Sequence, residues 1–287
     1  MAHRALVDRW FSELWGGGDE GLIDELMADD CVNAGLEGAN GRAGFRAFYR
    51  GFKAAFPTIR IALEDFIEQG ERWSAMCRAE LTNGRGAKHV ITGAVAGAVR
   101  SGKFVETRNE WNFLALLEST KTIEPGLLSV MLEAQVEGTE RRPKAATTHL
   151  AFWERWFDEL YSKRNAAIID ELVADDCVIV GLPRTTNGRA SFHGFYKAFS
   201  GAFPWVRIVV EDCLEDGERF AIRCSAQVDD HGGKRHAFTG CCYGRIRDGK
   251  VIEAYNQWDF LSLIGALGAV SPSVLADTID AQGKLKS

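Results

Sequence analysis

The sequence predicts an α+β fold built twice. It reads as two tandem cone-shaped domains, each a curved, mainly antiparallel sheet wrapped over about three helices around an apolar pocket. Three observations predict this. The chain repeats itself in long, sustained register; each repeat opens with apolar residues at helical spacing; each then switches to an alternation of period two, broken by glycine turns.

The repeat comes first because it sets the domain count. Trp10-Phe11 matches Trp156-Phe157, an offset of 156 − 10 = 146. Ile23-Asp24-Glu25-Leu26 and Asp29-Asp30-Cys31-Val32 recur at the same offset. After one inserted residue near Thr186 the offset becomes 147, and Gly41-Arg42-Ala43, Phe56-Pro57, Gly70-Glu71-Arg72 and Gly102-Lys103 all find counterparts. The tails agree too: Pro125, Leu128 and Gln135 face Pro272, Leu275 and Gln282. The expected domains are 1–137 and 149–287, joined by a charged linker, 138–148, that contains Pro143.

Within the first copy, Leu6, Trp10 and Leu14 form a helical stripe with Val7 and Phe11 beside it. Leu22, Ile23, Leu26 and Met27 make a second short helix. Phe45, Phe48, Tyr49, Phe52 and Phe56 make a third, which Pro57 ends because proline cannot continue the hydrogen-bond ladder. Ile59, Ile61 and Leu63 then alternate as a strand. Strands follow around Trp73 to Leu81, Lys88 to Val99 and Phe104 to Asn112, separated by turns at Gln69-Gly70, Asn83 to Gly86 and Ser101-Gly102. The second copy repeats the order, with Asp248-Gly249 as the sharper hairpin signal. Antiparallel strands must bury one face, and the aromatic helices are the natural cover.

Composition narrows the partners. The 287 residues carry a net charge of -6, which disfavours nucleic acid, since phosphate binding needs a clustered positive surface. The start, Met1-Ala2-His3-Arg4, runs into an amphipathic helix rather than the apolar core of a signal peptide, and no apolar run has the length of a membrane span. The seven cysteines show no CxxC pair and no cysteine–histidine zinc spacing. Cys31, Cys77, Cys177 and Cys224 read as buried, reduced thiols, and Cys241-Cys242 as strand neighbours facing opposite ways. The expectation is a cytoplasmic protein with no metal and no cofactor.

One segment resembles a known family. Ile246-Arg247-Asp248-Gly249-Lys250-Val251-Ile252-Glu253, followed by Trp258-Asp259 and by Leu261 through Leu267-Gly268, is similar to the end of SnoaL-like polyketide cyclase domains. These belong to the nuclear transport factor 2-like superfamily of cyclases, ketosteroid isomerases, dehydratases, lyases and non-catalytic pockets, and the resemblance covers nearly all of both repeats. It implies a cofactor-independent acid/base enzyme, a cyclase, isomerase or lyase, acting on a hydrophobic aromatic or polycyclic small molecule. The alternative is a non-catalytic binding or carrier protein. It also implies pairing of the two copies as an intrachain pseudo-dimer, with a homodimer open; the charge and the lack of a long apolar run add the expectation of no nucleic-acid and no membrane partner.

The resemblance places the general acid/base on Asp259, where the first copy has Asn112; Glu110, two residues earlier, stands where the second copy has Gln257. Flanking rings would desolvate Asp259 and raise its pKa; the competing reading is an N-cap for the helix starting near Phe260. His236, whose counterpart is His89, could polarise a substrate oxygen or pair with Asp259, or be structural. Without a bulge, Tyr255 and Gln257 share a face with Asp259 while Asn256 faces away. Trp258, Trp156, Phe199 and Tyr196 complete the substrate-binding set. In the first copy the candidates are Glu110, Asn112, His89 and Tyr49, with Arg108 bringing a positive charge toward the site.

Overall fold

A computed structural model describes residues 2–36, 38–127, 149–183 and 187–284. The expected linker 138–148, Leu128, Gln135 and Thr186 lie outside the described residues. The chain forms two compact units. One comprises Met1–Glu124 together with Val270–Ser287, the other Pro125–Ala269.

In the first unit, helix α1 (Ala2–Arg9) runs into a π-helical segment, Trp10–Gly17, which buries Trp10, Phe11, Leu14 and Trp15. Helix α2 (Leu22–Leu26) follows, then strand β1 (Met27–Ala34) and helix α3 (Gly41–Ala55). Strands β2 (Thr58–Gln69), β3 (Arg72–Thr82), β4 (Lys88–Arg100) and β5 (Lys103–Trp111) lead to helix α4 (Phe113–Ser119). The sheet order is β1-β5-β4-β3-β2. All pairs are antiparallel except β1 with β5, which is parallel.

The second unit repeats the plan. Helix α5 (His149–Phe157) enters a π-helical segment, Asp158–Ser162, followed by α6 (Ala167–Leu172), β6 (Val173–Val180) and α7 (Arg189–Ala202). Strands β7 (Trp205–Asp216), β8 (Arg219–Asp229), β9 (Arg235–Arg247) and β10 (Lys250–Trp258) precede α8 (Phe260–Ala266). Its sheet order is β6-β10-β9-β8-β7, with β6 parallel to β10.

The predicted fold class holds, with three differences. Each sheet has a fifth strand, β1 or β6, which opens at Met27 where a helix end was expected; its adjacent carboxylates, Asp29 and Asp30, mask the alternation. Bulges interrupt β2, β5, β7 and β10; Ile252, for instance, has no partner between Val251 and Glu253 on β9. A bulge bends its strand and shifts which residues face inward. Finally, helix α9 (Val274–Gly283) belongs to the first unit, not to the second as the expected boundary 149–287 has it. There Gln282 Oε1 accepts from Asn83 Nδ2 at 2.7 Å, and the Thr278 hydroxyl meets that of Thr122 at 3.2 Å.

Candidate ligand-binding site

The bulge at Ile252 decides what the second unit's cavity sees. Past it, Ala254, Asn256 and Trp258 face inward, opposite Gly244, Cys242 and Gly240 on β9. A Cβ at Gly240 would lie 2.2 Å from the Trp258 ring. Glycine there lets the indole lie on the bare strand as a wall. The other walls are Trp156 and Phe157 of α5, Phe192, Phe195 and Phe199 of α7, and Phe238 of β9. The cavity holds about 660 Å³ of empty space, its open mouth included.

Apart from indoles, three polar side chains among the described residues line it: Tyr161, Cys242 and Asn256. Asn256 Nδ2 donates to the Val180 carbonyl at 3.1 Å, which turns its Oδ1 toward Cys242 Sγ, 3.1 Å away. Burial pushes the Cys242 thiol up to about 12. Burial also raises the Tyr161 phenol, as do the neighbouring Tyr196 and Cys242. Both groups therefore keep their protons at neutral pH and act as donors. The Tyr161 hydroxyl has no hydrogen-bond partner among the described residues. Among the described residues, no carboxylate or imidazole lines the cavity.

The first unit holds a matching cavity of about 470 Å³, its mouth likewise included. Its walls include Trp10, Trp15, Phe45, Phe52 and Trp111, and Asn109 stands where the second copy has Asn256. Trp15 replaces Tyr161 and Val95 replaces Cys242. Those two positions supply the hydrogen-bonding difference between the cavities, and comparing the repeats for apolar-to-polar changes was the signal that could have found them.

The sequence candidates scatter. Trp156, Phe199 and Trp258 do line the second cavity. Asp259 does not: it caps α8, its Oδ1 accepting from Ser262 N at 2.9 Å and its Oδ2 from the Ser262 hydroxyl. Asn112 does the same for α4 through Ala115 N, also at 2.9 Å, so the capping reading explains both copies. His236 pairs with Asp230 at 2.8 Å rather than with Asp259. That bond, with the backbone N–H groups of Lys234 and Gly232, holds the Asp230 carboxyl below its usual range. His89 meets the Ser119 hydroxyl at 2.9 Å, and its Nε2 is buried without a partner among the described residues.

A buried phenol needs a hydrogen-bond partner, and Tyr49 and Tyr196 each find one in the π-helical segment of their unit. Their hydroxyls donate to the Leu14 and Leu160 carbonyls at 3.1 and 2.9 Å. Tyr255 and Gln257 stand on the face of β10 opposite Asn256, where Tyr255 donates to Glu253 and Gln257 is buried. Glu110 is buried on the corresponding face of β5, and Arg108 binds Glu106 at 2.8 Å rather than entering the cavity. Tyr255 and Gln257 thus share a face, as alternation predicts, but it is not the cavity face: Asp259, the reference for that face, lies past the end of β10 and caps α8.

No group of three or more histidine, cysteine or acidic residues among the described residues could hold a metal ion, and no described helix is long and apolar enough to cross a membrane.

Comparison with known proteins closes the assignment. Solved structures resembling one copy include a candidate SnoaL-like polyketide cyclase from Jannaschia sp. CCS1, at 18% identity and TM-score 0.38, over 41% of this chain and 90% of that one. IdmH, a candidate polyketide cyclase from Streptomyces antibioticus, matches at 20% identity and TM-score 0.38, over 41% and 97%. A candidate polyketide cyclase from Acidithiobacillus ferrooxidans matches at 13% identity and TM-score 0.40, over 42% and 96%. The search among curated proteins returns no match. The SnoaL-like domain family matches residues 7–107 and again residues 153–254, well over half of the chain. Matched twice, once on each five-stranded α+β unit, the chain belongs to the SnoaL-like domain family as a tandem pair.

Proposed function

We propose that the second copy's cavity binds an uncharged, ring-bearing small molecule and hydrogen-bonds its carbonyl oxygen. The observation that supports this is the pairing of an aromatic wall with an unengaged phenol donor, Tyr161, and no carboxylate, imidazole or other charged side chain among the described lining residues. Flat rings fill such a wall by dispersion and area burial. A charged ligand would leave water with no opposite charge among the described lining residues to meet it. The reading is ligand binding in the first instance, with the carbonyl polarised by a neutral donor.

A second reading, acid/base turnover of the cyclase or isomerase kind, has one observation in its favour. Asp259 stands between Trp258 and Phe260, both of which line the cavity. Proton transfer by Asp259 would require it to leave Ser262 and reach the mouth.

The matched pair 1-tetralone and tetralin tests the first reading by calorimetry on the intact chain. The ketone should bind about tenfold more tightly than the hydrocarbon, and Tyr161→Phe should remove that difference while leaving tetralin affinity unchanged. Equal binding of the two compounds to the wild-type chain would overturn it.

A further inference from the structure

The two cavities have opposite hydrogen-bond polarity. In the first unit a directional chain of hydrogen bonds leads away from the cavity. Asn109 Nδ2 donates to the Ala34 carbonyl at 3.3 Å and to Thr107 Oγ1 at 3.2 Å. The Thr107 hydroxyl donates to Asn33 Oδ1 at 2.5 Å, and Asn33 Nδ2 donates to the Ala39 carbonyl at 2.8 Å. Carbonyl oxygens only accept, so both ends of this chain are fixed and neither amide can be flipped without placing oxygen against oxygen. Asn109 Oδ1 is left as the amide atom for the cavity, and no donor among the described residues meets it.

The second unit keeps only the first link, Asn256 Nδ2 to the Val180 carbonyl, and lacks the rest. Thr107 is replaced by Ala254 and Asn33 by Ile179. The cross-strand partner of Asn109 is Val95, which has no donor; that of Asn256 is Cys242, whose thiol covers the amide oxygen at 3.1 Å. Indoles apart, the described lining of the first cavity therefore ends in a bare acceptor and that of the second in a covered acceptor plus the Tyr161 donor.

We infer that the first-copy cavity is a second binding site with its own ligand class: an uncharged aromatic molecule bearing a hydroxyl, which donates to Asn109 Oδ1. The inference rests on the reading that these cavities hold ring ligands, and it adds that the two copies take ligands of opposite hydrogen-bond character. A buried acceptor desolvated without a donor penalises any ligand that lacks one, so the site discriminates by what the wrong ligand leaves unpaired.

The test uses 2-naphthol and its methyl ether on the intact, nitrogen-15-labelled chain. The indole resonances of Trp10, Trp15 and Trp111 report the first cavity; those of Trp156 and Trp258 report the second. Naphthol should shift the first set and bind there about tenfold more tightly than the ether. Asn109→Leu should erase that preference. Val95→Cys, which copies the thiol of the second copy and leaves Asn109 in place, should erase most of it too. Equal affinity for naphthol and ether in the wild-type chain overturns the inference, as does naphthol that leaves the first set unmoved. In either case, a ketone that still shifts the second set leaves the proposed function standing.

Discussion

Gly240→Ala changes one hydrogen into a methyl group and should dismantle the second cavity's wall. The new Cβ would sit 2.2 Å from Cε3 of Trp258. Ordinary carbon contacts need about 3.5–4.0 Å, so the indole must retreat by more than about 1 Å. It is backed by Phe238, whose ring centroid lies 5.7 Å away, edge toward face. Overpacking of this kind costs about 1–3 kcal/mol, offset by the fraction of a kcal/mol that alanine gains over glycine in a strand. The net expectation is a lower urea midpoint, a displaced Trp258 indole resonance and weakened ketone binding. Gly93→Ala is the internal control. Its Cβ would meet Trp111 at 2.3 Å, so it should damage the first cavity and spare the second. A Gly240→Ala chain with the wild-type midpoint and an unmoved Trp258 resonance would refute the argument that bare backbone positions this wall.

Asp259→Ala should cost about 1 kcal/mol by removing the cap of α8, while Asp259→Asn should cost only a few tenths, because Asn112 already does this task for α4; denaturant unfolding distinguishes them, and an asparagine variant as unstable as the alanine one contradicts the capping account. Truncation after Ala269 removes α9, which packs on α3 with Gly283 beside Ala54, and with it the Gln282–Asn83 and Thr278–Thr122 bonds, so hydrogen exchange should accelerate in α3 and leave β8–β10 protected. Unchanged exchange in α3 would count against the assignment of α9 to the first unit. Burial holds the His89 imidazole below its ordinary value of about 6.5, so the unfolded chain takes the proton first. Its contribution is then complete above that value and is lost as pH falls beneath it, and His89→Gln should flatten this acid slope; identical slopes in the two chains would contradict it.

The sequence carried the architecture well because the repeat, the helical aromatic stripes and the glycine hairpins are local signals. Asp248 and Gly249, with φ of 51° and 73°, form the left-handed turn that their identities announce. The fifth strand escaped because Asp29 and Asp30 are adjacent and both exposed, which hides its period. The site was harder, because the inward face of β10 was counted back from Asp259, which lies past the end of the strand at Trp258 and caps α8. Without that reference, Asn256 faces in and Tyr255 and Gln257 face out. Asp259 was legible as a cap from its place before an apolar helix. His236 found its partner in a turn, at Asp230, rather than at the helix start where Asp259 sits. The crossing of α9 to the first unit leaves no local trace at all, since its residues repeat those of the other tail and only tertiary packing selects the partner.

The central claim is that the aromatic cavity of the second copy, not the carboxylate beside it, is what recognises the ligand. Ala254→Trp fills that cavity from the strand, and Asp259→Asn removes the carboxylate while keeping the cap. Calorimetric titration of both variants and the wild-type chain with 1-tetralone separates the two. The account predicts that Ala254→Trp abolishes binding and that Asp259→Asn binds as the wild type does; binding that survives the filled cavity but disappears with the carboxylate would contradict it.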